Sequence, residues 1–187
     1  MSPHRAARLR RPVPAAATAL ALVLGLGAPA APVTASTGAP AVIAWRAASL
    51  EITVPNTVNI GSGVAGSTLS DTLGTVTVVD ARPGVPPWTA TVSSTDFTTS
   101  GSPVQTITKA NVAYWSGPAI VSTGGGTRTA GQPTEAQKVV LTVPRTAFSA
   151  RKGALTTTTS WVPTLVVTLP STAAAGFYTG TITHSVA

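Results

Sequence analysis

Few residues of this chain are suited to acid–base or metal chemistry. The sequence contains two histidines, five acidic residues and no cysteine. A catalytic histidine needs a nucleophile or a carboxylate beside it and a metal site needs several ligands, but His184 is the only histidine beyond His4. A glycosidase needs two carboxyl groups that face each other across a sugar, and the acids are scattered as Glu51, Asp71, Asp80, Asp96 and Glu135. We therefore expect no enzyme activity, no metal site and no cofactor.

Aromatic side chains are better candidates for a binding surface, because an exposed flat ring can stack on a sugar. The candidates are Trp45, Trp161 and one of the neighbours Tyr114 and Trp115. If the two neighbours lie in a strand, their side chains point to opposite faces of the sheet. The alternative for all of these rings is ordinary packing in the core or in a linker.

The beginning of the chain has the three parts of a secretory signal peptide. An apolar stretch runs from Ala15 to about Gly27, and it is too short to span a bilayer comfortably. Two candidate cleavage sites of the A-x-A type follow it, at Ala28–Ala30 and Val33–Ala35. The stretch is preceded by basic residues, namely Arg5, Arg8, Arg10 and Arg11. We therefore expect an exported protein that is secreted, extracellular or associated with the cell wall.

On this interpretation the chain has three parts: a signal peptide over residues 1–35, a linker over 36–48 and one domain over 49–187. No disulfide supports the domain, because cysteine is absent. Removal of the arginine-rich signal lowers the formal net charge of +7, and the scattered basic residues that remain do not form a nucleic-acid interface. Arg151 and Lys152 are candidates for contact with a phosphate-rich wall polymer, and a solvated loop tip is the alternative.

Beyond residue 49, apolar residues alternate with threonine and serine, which is typical of strands with one buried face. Turn-forming residues such as Arg82–Gly84 separate the runs. We therefore predict an all-β fold, namely an antiparallel β-sandwich that is immunoglobulin-like and has long loops. Ser122–Gln137 contains three successive glycines and is predicted to be a mobile loop. The predicted strands lie within Leu50–Val54, Val76–Val78, Trp88–Ser93, Val139–Val143, Leu165–Leu169 and Tyr178–Val186.

Two segments, Trp88–Phe97 and Tyr178–Val186, resemble in this order the WxL domain of Gram-positive surface proteins. The first is similar to the family's Trp-x-Leu strand and its downstream phenylalanine, with Ala90 in place of the leucine. The second is similar to the pattern Tyr-x-x-x-Leu-Thr-Trp-x-Leu. It keeps the tyrosine and threonine, has apolar equivalents of the leucines and replaces the tryptophan by histidine, at Tyr178, Thr183, Ile182, Val186 and His184 respectively.

Membership of this family would imply non-covalent attachment to peptidoglycan, and it would allow pairing with a membrane-anchored surface protein. Strand periodicity places Trp88 on one face with Ala90, and Tyr178 on one face with His184, so we expect these motif residues to face the core or its rim. The expected function is non-covalent binding of the bacterial cell wall by an exported domain. The alternative is a structural or adhesive subunit that binds another protein by strand or face pairing, without affinity for carbohydrate.

Overall fold

A computed structural model describes residues 48–187 of the chain. The predicted signal peptide, almost all of the predicted linker and Trp45 lie outside these residues. Two short 3-10 helices occur within them, at Lys109–Asn111 and Glu135–Gln137. The strands are β1 (Leu50–Thr53), β2 (Thr68–Thr72), β3 (Val76–Asp80), β4 (Pro87–Ser94), β5 (Phe97–Thr99), β6 (Thr106–Ile107), β7 (Val112–Trp115), β8 (Ala119–Ser122), β9 (Gly126–Ala130), β10 (Val139–Val140), β11 (Arg145–Lys152), β12 (Thr157–Trp161), β13 (Thr164–Thr168), β14 (Tyr178–Thr179) and β15 (Ile182–Val186).

The strands pair antiparallel in four sheets. The first sheet has the order β1-β3-β12-β8, and the second has the order β10-β7-β13-β2. The third sheet has the order β15-β4-β11-β9, and the small fourth sheet has the order β14-β5-β6. No helix in the described part of the chain is long and apolar enough to cross a membrane.

The four sheets form two layers, each of which is one interrupted sheet. The first and second sheets are joined by three chain passages, because β2 leads into β3, β7 into β8 and β12 into β13. At this interruption the N–H of Leu73 donates to the carbonyl oxygen of Pro163 at 2.8 Å. The third and fourth sheets are joined through β4–β5 and β14–β15, where the N–H of Thr95 donates to the carbonyl oxygen of Thr181 at 3.0 Å.

Apolar side chains from both layers fill the space between them. Phe148 of the third sheet stacks on Trp161 of the first sheet, with 4.8 Å between the ring centroids. The two layers therefore pack face to face, and the predicted antiparallel β-sandwich is confirmed. Trp88 and Ala90 are 2% and 0% exposed, as expected from the alternation along β4.

Three predictions about local structure were wrong. The run Tyr178–Val186, predicted as one strand, is divided into β14 and β15, which lie in different sheets. The segment Ser122–Gln137 is not a mobile loop, because it contains β9 and the second 3-10 helix. Its glycines serve a turn: Gly124 has a φ of +76°, and a Cβ atom there would collide with the carbonyl oxygen of Thr156. The strand predicted over Val139–Val143 ends at Val140, and Leu141 is buried outside regular structure.

We expect Trp88→Ala to lower the free energy of unfolding by about 3–5 kcal/mol, because truncating a buried tryptophan removes its contacts and leaves a cavity. The control is Thr89→Ala at the exposed next residue of the same strand, which we expect to change this free energy by less than about 0.5 kcal/mol. Chemical denaturation followed by fluorescence measures both. Equal, small effects of the two substitutions would contradict the inward packing of Trp88.

Candidate functional site

The two motif segments lie side by side in the third sheet. Strands β15 and β4 pair antiparallel, with Val186 opposite Ala90 and Ile182 opposite Ser94. The side chains of Tyr178, Ile182 and Val186 pack against the core. His184 is half-buried and Thr183 is exposed, as the alternation along β15 requires. The motif residues expected to face the core or its rim therefore do so.

The aromatic candidates that lie within residues 48–187 are buried or half-buried. Trp161 is 0% exposed, so the expectation that it offers a free ring face is wrong. Tyr114 is fully buried as well, and its neighbour Trp115 is half-buried with its indole N–H closed off from solvent. That N–H has no hydrogen-bond partner among residues 48–187. Stacking of a sugar on Trp161 or Tyr114 would first require the sandwich to open, whereas Trp115, on the other face of β7, stays a candidate.

The two basic candidates have different surroundings. Lys152 is 3% exposed, so the expectation that it meets a wall polymer at the surface is wrong. Its Nζ donates to the carbonyl oxygens of Leu155 at 2.6 Å and Gly153 at 3.1 Å, which compensates the buried ammonium group. Arg151 is exposed and stays a candidate.

A concave feature of about 1130 Å³, which we call the inter-layer cleft, lies between the second and fourth sheets and beside β15. Its walls include side chains that also pack in the core, among them Leu165, Val167 and Ile107. Two loop segments form its rim, Val54–Ala65 on one side and Ala173–Thr181 on the other. None of the residues that line the inter-layer cleft carries a formal charge.

His184 brings a polar group to this apolar space. Its Nε2 lies 3.2 Å from the hydroxyl oxygen of Tyr114, which belongs to the opposite layer. The same hydroxyl lies 3.4 Å from Nε1 of Trp161. These three residues form a hydrogen-bonded chain through the core, and His184 is the member that lines the inter-layer cleft.

The positions of the hydrogen-bonding protons on these three side chains can be assigned from their chemistry. The indole N–H of Trp161 can only donate, so the Tyr114 oxygen accepts from it. Burial raises the pKa of Tyr114 above its ordinary value, so the hydroxyl keeps its proton. Within the described residues, Nε2 of His184 is the one acceptor in reach of this hydroxyl, so we assign Tyr114 as the donor of this hydrogen bond. Burial lowers the pKa of His184 to about 4, so the ring is neutral at pH 7. Since Nε2 accepts, the ring proton lies on Nδ1.

The carboxylate of Asp80 is held in an ion pair with Arg82. Burial alone would raise the pKa of Asp80, but hydrogen bonds from the side chain and backbone of Arg82 hold it below its ordinary value. The guanidinium of Arg82 lies 2.9 Å from the carboxylate of Asp80, and this ion pair stabilises the turn after β3. Among residues 48–187, no group of three or more histidines, acids or cysteines is placed to hold a metal ion.

A second exposed feature is strand β8, the outermost strand of the first sheet on one side. All four of its residues, Ala119–Ser122, are exposed, with Ile120 at 58% and Val121 at 40%. The strand pairs with β12 on its inner side, and no strand of residues 48–187 pairs with its outer side, which we call the β8 edge.

No protein-family model matches the chain, and no curated protein sequence matches it. Any assignment of function therefore depends on the geometry of the inter-layer cleft, the β8 edge and the motif strands. Sequence reasoning identified His184 as a rim residue but missed its contact with Tyr114, because the two are 70 positions apart. It also missed the inter-layer cleft, for which the only signal is the abundance of small residues in the rim loops.

We expect the free energy of unfolding to fall by about 3 kcal/mol between pH 6.5 and pH 4 because of His184. Above pH 6.5 the ring is neutral in both the folded and the unfolded chain. Between pH 6.5 and pH 4 the unfolded chain takes up a proton that the folded chain does not, so the unfolded chain gains stability. Urea denaturation across this window measures the loss.

The control for this pH dependence is His184→Phe, which removes the titrating group and keeps an aromatic ring. We expect its free energy of unfolding to change far less across the same window. Asp80 does not interfere, because its lowered pKa places its titration below pH 3.8. Equal losses in the parent and the variant would show that another group causes the acid sensitivity.

Proposed function

We propose that the chain is an exported cell-surface subunit that binds another envelope protein by pairing that partner's extended segment with the β8 edge. The observation that supports this most is the exposure of all four residues of β8, two of which are branched apolar residues. An edge strand offers unpaired N–H and C=O groups, and an added strand satisfies them while covering apolar side chains. Export is supported by the signal-peptide pattern of residues 1–35.

The β8 edge differs from the other edges of the four-stranded sheets. Soluble proteins protect such edges with charges, short strands or covering elements. Here β1 carries Glu51, β2 carries Asp71 and β9 carries Arg128. Strand β10 has two residues, and β15 lies against β1. Strand β8 carries no charge, and its one irregularity is a register shift opposite Ser160 and Trp161. No strand of the described residues covers its outer side, which is consistent with a surface kept for a partner.

A second candidate is direct non-covalent binding to peptidoglycan or another wall polymer, as the resemblance to the WxL domain implies. The exposed basic side chain of Arg151 on β11 favours this function. The burial of Trp161 and Tyr114 weighs against it, because these rings are not available to stack on glycan. The two candidates predict opposite behaviour on envelope material from which proteins have been removed.

The test compares retention of the secreted protein on two materials: intact cell envelopes of the producing bacterium, and the same envelopes stripped by protease to peptidoglycan. We expect strong retention on intact envelopes and at least about tenfold weaker retention on peptidoglycan, since about 1.4 kcal/mol corresponds to tenfold in affinity. Ile120→Lys should reduce retention on intact envelopes by a similar factor, because an edge lysine opposes strand addition.

The matched control is Leu155→Lys, which adds the same charge at a residue that is 72% exposed and lies outside β8. We expect it to leave retention unchanged. Undiminished retention on stripped peptidoglycan, insensitive to Ile120→Lys and lost in Arg151→Ala, would reject the proposed strand pairing and support wall-polymer binding.

A further inference from the structure

We infer that the inter-layer cleft binds an uncharged, mostly apolar small molecule that carries a carbonyl-type acceptor, such as an acyl ester, with Nδ1–H of His184 donating to that acceptor. This site is separate from the β8 edge, because no residue of β8 lines the inter-layer cleft. Four properties of the inter-layer cleft support the inference: its size, its lining, its donor and its rim.

The inter-layer cleft is large enough for a ligand rather than for a few waters. Protein interiors pack at a density of about 0.74–0.76, and the few voids larger than a water molecule are small. Ligand sites typically have volumes of roughly 300–1000 Å³. At about 1130 Å³, the inter-layer cleft lies just above the upper end of that range.

The lining selects for an apolar body. Leu69, Leu165 and Val167 project from the second sheet, and Leu169 follows its strand β13 directly. Phe97 from the fourth sheet adds an aromatic wall. An anion or cation would lose its hydration there without gaining an opposite charge, which is strongly unfavourable. Most hydroxyl groups of a sugar would lose their hydrogen bonds to water against these walls without gaining new ones, which is also unfavourable.

The donor on His184 adds specificity. Its Nε2 is engaged by the hydroxyl of Tyr114, so the remaining nitrogen carries the N–H. The hydrogen bond to Tyr114 is the only one that the side chain of His184 makes within the described residues. A polar group that lines an otherwise apolar site can pair with a ligand acceptor, and such groups orient ligands in pockets.

The rim leaves an entrance. Ala173–Gly176 forms one side with small side chains, and the neighbouring Phe177 is 94% exposed. The hydroxyl of Tyr178 donates to the carbonyl oxygen of Ala174 at 2.8 Å, which holds this segment in place. A large side chain at Ala174 would therefore obstruct the entrance without disturbing the packed core.

The test measures displacement of the neutral dye Nile red from the secreted protein by methyl laurate, by the alkane of matching length and by the laurate anion. We expect the dye to bind and the ester to displace it at about fivefold lower concentration than the alkane, which is the size of one net hydrogen bond. The laurate anion should be the weakest competitor, by about tenfold or more relative to the ester. This comparison needs no variant.

Variants then test the named residues. His184→Phe should remove the preference for ester over alkane and leave alkane binding unchanged, whereas His184→Gln should restore most of the preference, because its amide can accept from Tyr114 and donate to the ester. Ala174→Trp should weaken both ligands by about tenfold. The matched control Thr172→Trp, at an exposed residue outside the lining, should change neither.

Several outcomes would overturn the inference: no displacement by the ester, equal binding of ester and laurate anion, or a preference for ester that survives in His184→Phe. Equal loss in Ala174→Trp and Thr172→Trp would also reject the inter-layer cleft as the site. Ile120→Lys should bind the ester normally, so failure at the β8 edge and failure at this site are distinguishable.

Discussion

The structure depends on three side chains that are joined by hydrogen bonds and cross the sandwich from one layer to the other. Trp161 of the first sheet donates to Tyr114 of the second, and Tyr114 donates to His184 of the third. Phe148 stacks on the same indole from the third sheet, so the contacts of Trp161 join three sheets. The chain has no cysteine, and this packed centre therefore has to hold the layers together without a disulfide.

The position of these three side chains also explains why one end of the sandwich is packed and the other is open. Around Trp161 and Phe148 the two layers are in direct contact. Beyond His184 the sheets are interrupted, between β4 and β5 and between β14 and β15. The segment before β14, Ala173–Gly176, carries only small side chains, which leave part of the interior unfilled. The inter-layer cleft lies beside this segment, and His184 lines it.

The fold was largely predictable from the sequence, because alternation of apolar residues with threonine is a local signal. The inward orientation of Trp88 and the strand at Tyr178 followed from the same alternation. The roles of Trp161 and Lys152 did not. The residues around a tryptophan in a strand do not show whether its side of the sheet is the buried one. Lys152 is buried because a turn brings the carbonyl oxygens of Gly153 and Leu155 to its ammonium group. Strand periodicity does not reveal packing between distant residues, nor hydrogen bonds to a buried charge that depend on a turn.

The protonation state of His184 is the central claim, because the interpretation of both the packed centre and the inter-layer cleft depends on it. Long-range nitrogen–proton NMR spectra of the imidazole report which ring nitrogen carries the proton and at what pH the second one binds. The account predicts a neutral ring with its proton on Nδ1 and with Nε2 as acceptor, and a pKa of about 4. A ring that carries its proton on Nε2, or that titrates at its ordinary value of 6.5, would contradict it.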